Sequence, residues 1–207
     1  MILFMRRVIK GIYFRFALPF HWIIFYKKRF FKFIFPNFSK IIQKKIKFTQ
    51  YPVCNQKTQV SGQGTVMIGK GCIFGYRPGG HFYKGIIDLQ PRYKEANILI
   101  GNNVKTNNNL IICSANHIEI GDNTLIGEGV TILDHEAHGL AADKRNQLGE
   151  IGKIIIGRNV WLGNKVTVLK NSEIGDNTIV ATGAIVSSKF PANVIIGGIP
   201  AKIIKEL

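Results

Sequence analysis

Between residues 154 and 186 a branched or long apolar residue returns at every sixth position. The series consists of Ile156, Leu162, Val168, Ile174, Val180 and Val186. A period of six matches neither a single α-helix, which repeats at 3.6 residues, nor a single β-strand, which repeats at two. The period is typical of a chain that winds in a triangle, with one short strand on each side and one apolar residue pointing inward from each strand.

Glycine and asparagine recur between these apolar positions. Gly157-Arg158-Asn159, Gly163-Asn164 and Gly175-Asp176-Asn177 stand where such a chain turns, and we expect them to supply positive φ angles. Stacked coils bury a continuous apolar column, as repeat proteins must. The sequence therefore predicts an all-β fold, a left-handed parallel β-helix. A β-sandwich with glycine-rich turns would not keep so strict a period.

The first fifty residues differ from the rest of the chain. They hold twelve of the 28 Lys and Arg, no Asp or Glu, and eleven of the 14 Phe. The remaining sixteen Lys and Arg against twelve Asp and Glu leave only +4 of the net charge of +16 elsewhere. The apolar run from Phe16 to Tyr26 is shorter than the roughly twenty residues that a spanning helix needs. Cations that alternate with aromatic residues favour a segment lying in the interface of an anionic membrane.

Other interpretations of this segment stay open. Its helices could instead pack on the β-helix as a cap, or it could be a nucleic-acid-binding arm, which its richness in Phe and Ile disfavours. A secretory signal is disfavoured because no small-residue cleavage site follows the apolar run. We divide the chain into an amphipathic, helical, membrane-associating segment over residues 1–50 and a β-helix domain over residues 51–207. No nucleic-acid partner is expected.

The three cysteines, Cys54, Cys72 and Cys113, lie far apart and have no paired spacing. They predict neither a disulfide framework nor a zinc site, and they are most simply small core residues. A reducing cytoplasmic setting follows. With the basic segment, this predicts a protein that is peripheral at the inner face of the plasma membrane.

The repeat begins near Val66 and is interrupted twice, over residues 77–95 and over residues 133–153. Loops that interrupt a regular scaffold often carry function. The second interruption contains His135 and His138 in a dense polar stretch, and histidine is the natural general base for a hydroxyl at neutral pH. Asp134 or a backbone carbonyl would fix the tautomer of the base. No third or fourth ligand is spaced for a metal, so no metal site is predicted.

Three stretches carry a resemblance to a known family: Ile120-Gly121-Asp122-Asn123-Thr124-Leu125-Ile126-Gly127 through His138, Ile156-Gly157-Arg158-Asn159-Val160-Trp161-Leu162-Gly163, and Gly198-Ile199-Pro200-Ala201-Lys202. In their order they resemble the hexapeptide-repeat acyltransferases. Within that family they are most similar to the maltose and galactoside O-acetyltransferases and to the O-acetyltransferases of capsule and O-antigen gene clusters. The resemblance covers residues 66–207 and says nothing about residues 1–50.

The resemblance implies a homotrimer with active sites between subunits and acetyl-CoA as co-substrate along the coils. It implies His138 as the base, with His135 as a rival, and Asn107 at the acceptor or acetyl group; Asp134 and Arg145 are expected beside the substrate. The residues that match the family's coenzyme-binding wall are Trp161, Gly163, Asn164, Thr182, Gly183, Ser187, Lys189 and Lys202.

The predicted function is acetyl-CoA-dependent O-acetylation of a saccharide hydroxyl in surface-polysaccharide biosynthesis. The basic segment suggests an acceptor that is lipid-linked, because a free sugar would need no membrane anchor. Two alternatives remain. One is N-acetylation of an amino sugar or a nucleotide-linked amino sugar, and the other is a non-catalytic, membrane-bound β-helical scaffold.

Overall fold

The computed structural model describes residues 30–207, which form a left-handed parallel β-helix with a short helical segment at its N-terminal end. A π-helical turn, Phe30–Ile34, leads into helix α1, Phe35–Ile42. Twenty-one short strands follow, and the described residues include a 3₁₀ turn at Ala142–Lys144. No helix in this part of the chain is long and apolar enough to cross a bilayer.

The chain visits three sheets in turn. Sheet 1 consists of β1 Ile46–Phe48, β4 Thr65–Ile68, β7 Asn97–Ile100, β10 His117–Ile120, β13 Lys153–Ile156, β16 Glu173–Ile174 and β19 Lys189–Phe190. Sheet 2 consists of β2 Val53–Cys54, β5 Ile73–Phe74, β8 Lys105–Thr106, β11 Leu125–Ile126, β14 Trp161–Leu162, β17 Ile179–Val180, β20 Val194–Gly198 and β21 Ala201–Glu206. Sheet 3 consists of β3 Thr58–Val60, β6 Ile87–Pro91, β9 Leu110–Ser114, β12 Thr131–Leu133, β15 Thr167–Leu169 and β18 Ile185–Val186. Neighbouring strands pair in parallel, except β20 with β21.

The six-residue series forms the core that the sequence predicts. Each of its members is at most 1% exposed. Ile156 pairs with Ile174 and Val168 with Val186, so one uninterrupted coil takes eighteen residues, six to each side. Each fully buried aliphatic side chain contributes about 1.5–3 kcal/mol relative to an exposed one, so the stacked column is the main stabilising feature.

The asparagines Asn159, with φ 55°, and Asn177, with φ 61°, supply positive φ angles as the sequence predicts. Gly157, Gly163 and Gly175 do not have positive φ, and they serve close approach instead, which corrects the expectation for these three glycines. A Cβ added at Gly157 would lie 2.5 Å from Oδ1 and 2.8 Å from the backbone nitrogen of Asp176 in the next coil. Coils spaced by one strand–strand distance leave no room for a side chain at that point.

The β-helix begins earlier than the sequence predicts. Strand β1 pairs with β4, so the first coil starts at Ile46 rather than near Val66, and the division at residue 50 falls inside a coil. The first coil lacks the Gly–Asn corner signals that reveal the later ones, because its corner reads Thr49-Gln50-Tyr51-Pro52. The first interruption is shorter than the predicted range of residues 77–95. That range contains strand β6, and the loop itself covers residues 75–86.

Residues 30–42 cap the first coil. Phe33 is 1% exposed and belongs to the core. The side chain of Asn37 is equally buried: its Nδ2 donates to the carbonyl of Thr58 at 2.8 Å, and its Oδ1 accepts from the Val60 N–H at 2.7 Å. The capping interpretation therefore holds for residues 30–42. Residues 1–29, which carry most of the expected membrane segment, lie outside the described residues.

Candidate active site

The candidate residues are positioned by two of the three corners of the coil. The histidine corner, where sheet 3 leads into sheet 1, carries the loop over residues 134–152. The Asn107 corner, where sheet 2 leads into sheet 3, carries Asn107 and the loop over residues 75–86. A sheet 3 strand of three to five residues, about 10–17 Å long, separates the two corners. A single chain therefore does not bring His138 and Asn107 together.

The loop at the histidine corner folds back on itself. Its two arms form an antiparallel ladder, in which the Gly152 N–H donates to the Asp134 carbonyl at 2.7 Å and the Gly139 N–H donates to the Gln147 carbonyl at 2.9 Å. The tip contains the 3₁₀ turn Ala142–Lys144. Because both arms are hydrogen-bonded to each other, the loop presents its side chains from a fixed framework.

His138 lies on this loop with an exposed ring and one nitrogen in use. Its Nδ1 is 2.6 Å from the carbonyl oxygen of Arg145 across the loop tip. A carbonyl only accepts hydrogen bonds, so Nδ1 carries the proton and Nε2 is left with its lone pair. This is the arrangement that a general base needs, and it comes from the backbone carbonyl that the sequence analysis offered as one of two means to fix the tautomer.

His135 is placed differently. Its side chain is 2% exposed, and its Nδ1 donates to Oδ1 of Asp134 at 2.9 Å. An acceptor hydroxyl does not reach a ring that is buried in this way. Of the two histidines, His138 is therefore the one that is open to an incoming acceptor.

Asp134 is a scaffold residue, which corrects the expectation that it contacts substrate. Its side chain is fully buried, and its two oxygens accept from the Ser114 hydroxyl at 2.6 Å, the Ala115 N–H at 2.6 Å, the Asn116 N–H at 3.0 Å and the His135 ring. All of its acceptor capacity is taken up by groups that fix the start of the loop. Arg145 remains exposed, with its Nε donating to the Leu140 carbonyl at 3.3 Å, so its guanidinium stays at the surface of the loop tip.

One anchor of the loop was missed in the sequence analysis. Lys170 donates to Glu150 at 2.6 Å and lies 3.4 Å from Glu136, so it joins both arms to the next coil. The hydrogen bond with Lys170 holds the pKa of Glu150 below its ordinary value, and Glu150 in turn raises the pKa of Lys170. The register that pairs Leu133 with Leu169 puts Lys170 beside the start of the loop. The position of Lys170 could therefore have been predicted from the spacing of the repeat.

The Asn107 corner is overlaid by the loop over residues 75–86. Asn108 is fully buried there, and its Nδ2 donates to the carbonyls of Tyr76 at 2.8 Å and Gly80 at 2.9 Å. Gly79 lies so close to Asn107 that an added Cβ would be 2.2 Å from its Oδ1. The half-buried Asn107 side chain thus forms the floor beneath this loop.

His81 and Glu128 form a side-chain hydrogen bond at the same corner. The His81 Nδ1 lies 2.5 Å from Oε1 of Glu128, and the histidine side chain is more than half exposed. Glu128 belongs to the coil that follows the coil of Asn107. The contact therefore ties the loop over residues 75–86 to a coil two layers further along the β-helix. From the sequence, His81 could be either an acceptor contact or a surface-loop residue, and it lies within the group of polar residues around Asn107.

The expected coenzyme residues fall into two groups. Gly163, Asn164, Thr182 and Gly183 stack on the Asn107 corner in consecutive coils, with the Gly183 N–H donating to the Asn164 carbonyl at 2.9 Å. Trp161 stands beside them on the outer face of sheet 2, half exposed.

Ser187 lies at the histidine corner. Lys189 is in sheet 1, 3.1 Å from Glu173, and Lys202 is on the exposed strand β21. Lys202 therefore shares sheet 2 with Trp161, whereas Ser187 and Lys189 lie on the histidine side of the coil.

A shallow groove of about 590 Å³ runs along the outer face of sheet 1. Met67, Leu99, Glu119 and Arg158 are among its lining residues. None of the predicted site residues lines it, and it contains neither histidine of the loop. In the described part of the chain, no three His, Cys, Asp or Glu side chains are grouped to hold a metal ion.

A family model described as bacterial transferase hexapeptide (six repeats) matches residues 153–188. Galactoside O-acetyltransferase of Escherichia coli K12 is 39% identical over 116 residues, which are 54% of this chain and 55% of that protein. A second protein of the same organism, named for O-acetyl transfer in lipopolysaccharide biosynthesis, is 34% identical over 140 residues, 62% of this chain and 70% of the relative.

Among solved structures, galactoside acetyltransferase in complex with coenzyme A is 26% identical to this chain with a TM-score of 0.52. The superposition covers 81% of this chain and 68% of that one. The matched region spans about half the length of the first relative above, 55%.

Proposed function

This chain belongs to the hexapeptide-repeat acetyltransferases, and from that premise we propose that it transfers an acetyl group from acetyl-CoA to a saccharide hydroxyl. The observation that carries the proposal is the state of His138. Its Nδ1 lies against the Arg145 carbonyl, which leaves Nε2 free to accept a proton, and the residue is exposed within the second interruption of the repeat. The named relatives that transfer O-acetyl groups support the same reaction class.

The proposed reaction is a direct transfer. His138 Nε2 removes the proton from the acceptor hydroxyl as the oxygen attacks the thioester carbonyl carbon. The carbon–sulfur bond then breaks, and the proton passes from His138 to the departing thiolate of coenzyme A. Such general-base catalysis contributes about 10²–10⁴ in rate. Backbone N–H groups at a coil edge would stabilise the negative oxygen of the intermediate.

The complete site requires more than one chain. His138 and Asn107 lie at different corners, with a sheet 3 strand between them. In a homotrimer, the histidine corner of one subunit would face the Asn107 corner of the next, as in a head-to-tail ring. That arrangement would place the base of one chain beside the glycine-lined corner, Trp161 and Asn107 of its neighbour. Holding acceptor and thioester in one cleft would supply proximity.

The acceptor class follows from two features outside the site. One relative is named for lipopolysaccharide biosynthesis, and residues 1–50 of this chain carry twelve cations and no acidic residue. Anionic lipids attract basic residues near their surface by about 1 kcal/mol each. We therefore propose that the protein is held at the inner face of the plasma membrane and acts on a lipid-linked surface polysaccharide.

The test is thiol release from acetyl-CoA by the full chain, with lipid-linked glycans, simple sugars and amino sugars offered separately. We expect turnover with the lipid-linked glycans, and a loss of about 10²–10⁴ in rate for His138→Ala. His117→Ala is the matched control, because that ring lies in sheet 1 and hydrogen-bonds Asn97. Full activity of His138→Ala would refute the assignment of the base.

Turnover with amino sugars alone would show N-acetylation instead. Absence of thiol release with every acceptor would leave the fold as a binding scaffold.

A further inference from the structure

The capping segment has two unlike faces. The inner face carries the buried Phe33 and Asn37. The outer face carries four large apolar side chains that are each between 58% and 65% exposed, namely Phe31, Phe35, Phe38 and Ile42. We call these four residues the outer stripe.

The spacing within the outer stripe is that of a single helix face. Its members stand four, three and four residues apart, which aligns them along one side of the segment. The ring of Phe31 also contacts the rings of Phe30 and Phe35, with centroids 5.3 and 6.2 Å apart. Scattered exposed apolar residues need no explanation, but a continuous exposed row of aromatic residues marks an interaction surface.

The charges around the outer stripe are of one sign. Residues 30–87 contain nine Lys or Arg and no Asp or Glu, and Asp88 is the first acidic residue of the whole chain. Lys44 and Lys47 follow the helix, and Lys57 precedes the strand against which the helix packs; all three are exposed. Lys32 and Lys40 face inward and donate to the carbonyls of Asn55 and Gly62. The cap thus combines an apolar row with a basic surround.

We propose that the outer stripe inserts into the interface of an anionic lipid bilayer, so that the β-helix stands end-on to the membrane. An amphipathic helix with aromatic residues on one side and cations around it buries its apolar face about 5–10 Å into such an interface. Excess positive charge complements anionic headgroups. This inference rests on the proposed membrane location and names the side chains and the orientation that would produce it.

The orientation fixes the height of the active site above the lipid. The loop that carries His138 leaves the fourth coil, three strand spacings from the first, or about 15 Å. One helix layer adds about 10 Å. Because the helix sinks about 5–10 Å into the interface, His138 stands roughly 15–20 Å above the membrane surface. A sugar at that height belongs to a lipid-linked glycan extended away from its carrier, rather than to a sugar attached directly at the headgroup.

A second contact joins the cap to the acceptor side of the site. The Lys32 ammonium lies 4.8 Å from the centroid of the Phe82 ring, in the loop over residues 75–86. The same loop covers Asn107 through Gly79 and contacts Glu128 through His81. A glycan that rises from the bilayer would meet this loop before it reaches Asn107.

The test compares two matched triple variants of the full chain. One is Phe31→Ser with Phe35→Ser and Phe38→Ser. The other, at the opposite end of the β-helix, is Ile203→Ser with Ile204→Ser and Leu207→Ser, whose side chains are 51–62% exposed. Serine and phenylalanine have similar helix propensities, so the first variant should keep helix α1. Binding to vesicles of phosphatidylglycerol with phosphatidylcholine is measured by flotation, and thiol release with a soluble acceptor is measured in parallel.

We expect the outer-stripe variant to bind these vesicles at least about tenfold more weakly, and the control to bind within about twofold of the wild type. Equal binding by all three proteins would overturn the proposal and assign membrane contact to residues 1–29. A loss of oligomer mass or thermal stability in the outer-stripe variant would also overturn it, because the stripe would then be covered by protein. Unchanged thiol release with weaker vesicle binding would separate this proposal from the acetyl-transfer reaction.

A Phe35→Trp variant provides a second readout that does not depend on the triple substitution. Insertion predicts that brominated lipids quench its fluorescence beyond the quenching of the wild type, which retains Trp22 and Trp161. Equal quenching in the two proteins would contradict insertion.

Discussion

Replacing Asp134 by Ala tests whether this carboxylate supports the catalytic loop or contacts substrate. The side chain is fully buried and accepts four hydrogen bonds, two at each oxygen. Ser114 has a second acceptor in the Asn97 carbonyl at 3.3 Å, and Asn116 is exposed, so water can replace the lost acceptor. The Ala115 N–H and the His135 ring are buried donors that would lose their hydrogen-bond acceptor.

The magnitude follows from those two donors. A buried donor that loses its partner costs about 1–3 kcal/mol, so Asp134→Ala should lower the free energy of unfolding by about 2–6 kcal/mol. For a chain of this size each kcal/mol lowers Tm by about 2–4 °C, so we expect a fall of roughly 10 °C. The Tm of Asp134→Asn should fall nearly as far, because either orientation of the amide turns an NH₂ group toward two donors.

The assay is thermal unfolding at fixed protein concentration, followed by kinetics below the transition. Asp176→Asn is the control, because that carboxylate also accepts several hydrogen bonds, from Arg158, but lies at the surface. We expect its Tm to stay within about 3 °C of the wild type. An Asp134→Ala protein with unchanged Tm and a raised KM for the acceptor would refute the scaffold role and restore the substrate contact.

Three further predictions concern the scaffold. Asn177→Ala should cost about 1–2 kcal/mol because Asn177 has φ 61°, whereas Asn177→Gly should cost less; unfolding midpoints in denaturant decide between them. Burial raises the pKa of the Cys113 thiol to about 11, so this thiol should react with Ellman's reagent only after unfolding, and fast reaction of the native protein would contradict its burial. Hydrogen bonds from Asn102 and Arg158 lower the pKa values of Asp122 and Asp176, so these carboxylates add stability that is present above their ordinary value of 3.8 and lost as pH falls through the lowered values. Replacing both by Asn should flatten the fall of Tm in acid, and an unchanged acid limb would contradict this.

The sequence predicted those parts of the fold that repeat. Each coil requires inward apolar residues at a fixed spacing, so Ile156 and its successors identify the β-helix without tertiary information. The first coil escaped prediction because it begins beside a helix and carries no Gly–Asn corner. The corner glycines were placed correctly, yet their reason was misjudged, since contact with the next coil is a property of stacking that a linear sequence does not display.

The sequence identified the exposed residues of the candidate site more readily than it revealed the surroundings of the buried ones; the role of His138 stays a prediction. The sequence singles out His138 because it stands where the repeat breaks. One hydrogen bond is enough to fix the tautomer of an exposed ring. Asp134 was predicted to contact substrate because, in a sequence, a carboxylate beside a histidine looks the same whether it binds substrate or supports the loop. Only the four donors around it distinguish the two. Lys170 was missed because its partners lie on both arms of the loop, in the preceding coil.

The central claim is that His138 of one subunit acts beside Asn107 of another. Mixing tests it directly: His138→Ala and Asn107→Ala proteins are each purified, unfolded together, refolded at equal amounts and assayed for thiol release. If neighbouring chains share each site in a closed ring, about one quarter of the sites in the mixture regain both residues, so activity should return to about one quarter of the wild-type value. Activity no higher than the mean of the two separate variants would contradict the account and place both residues in a site within one chain.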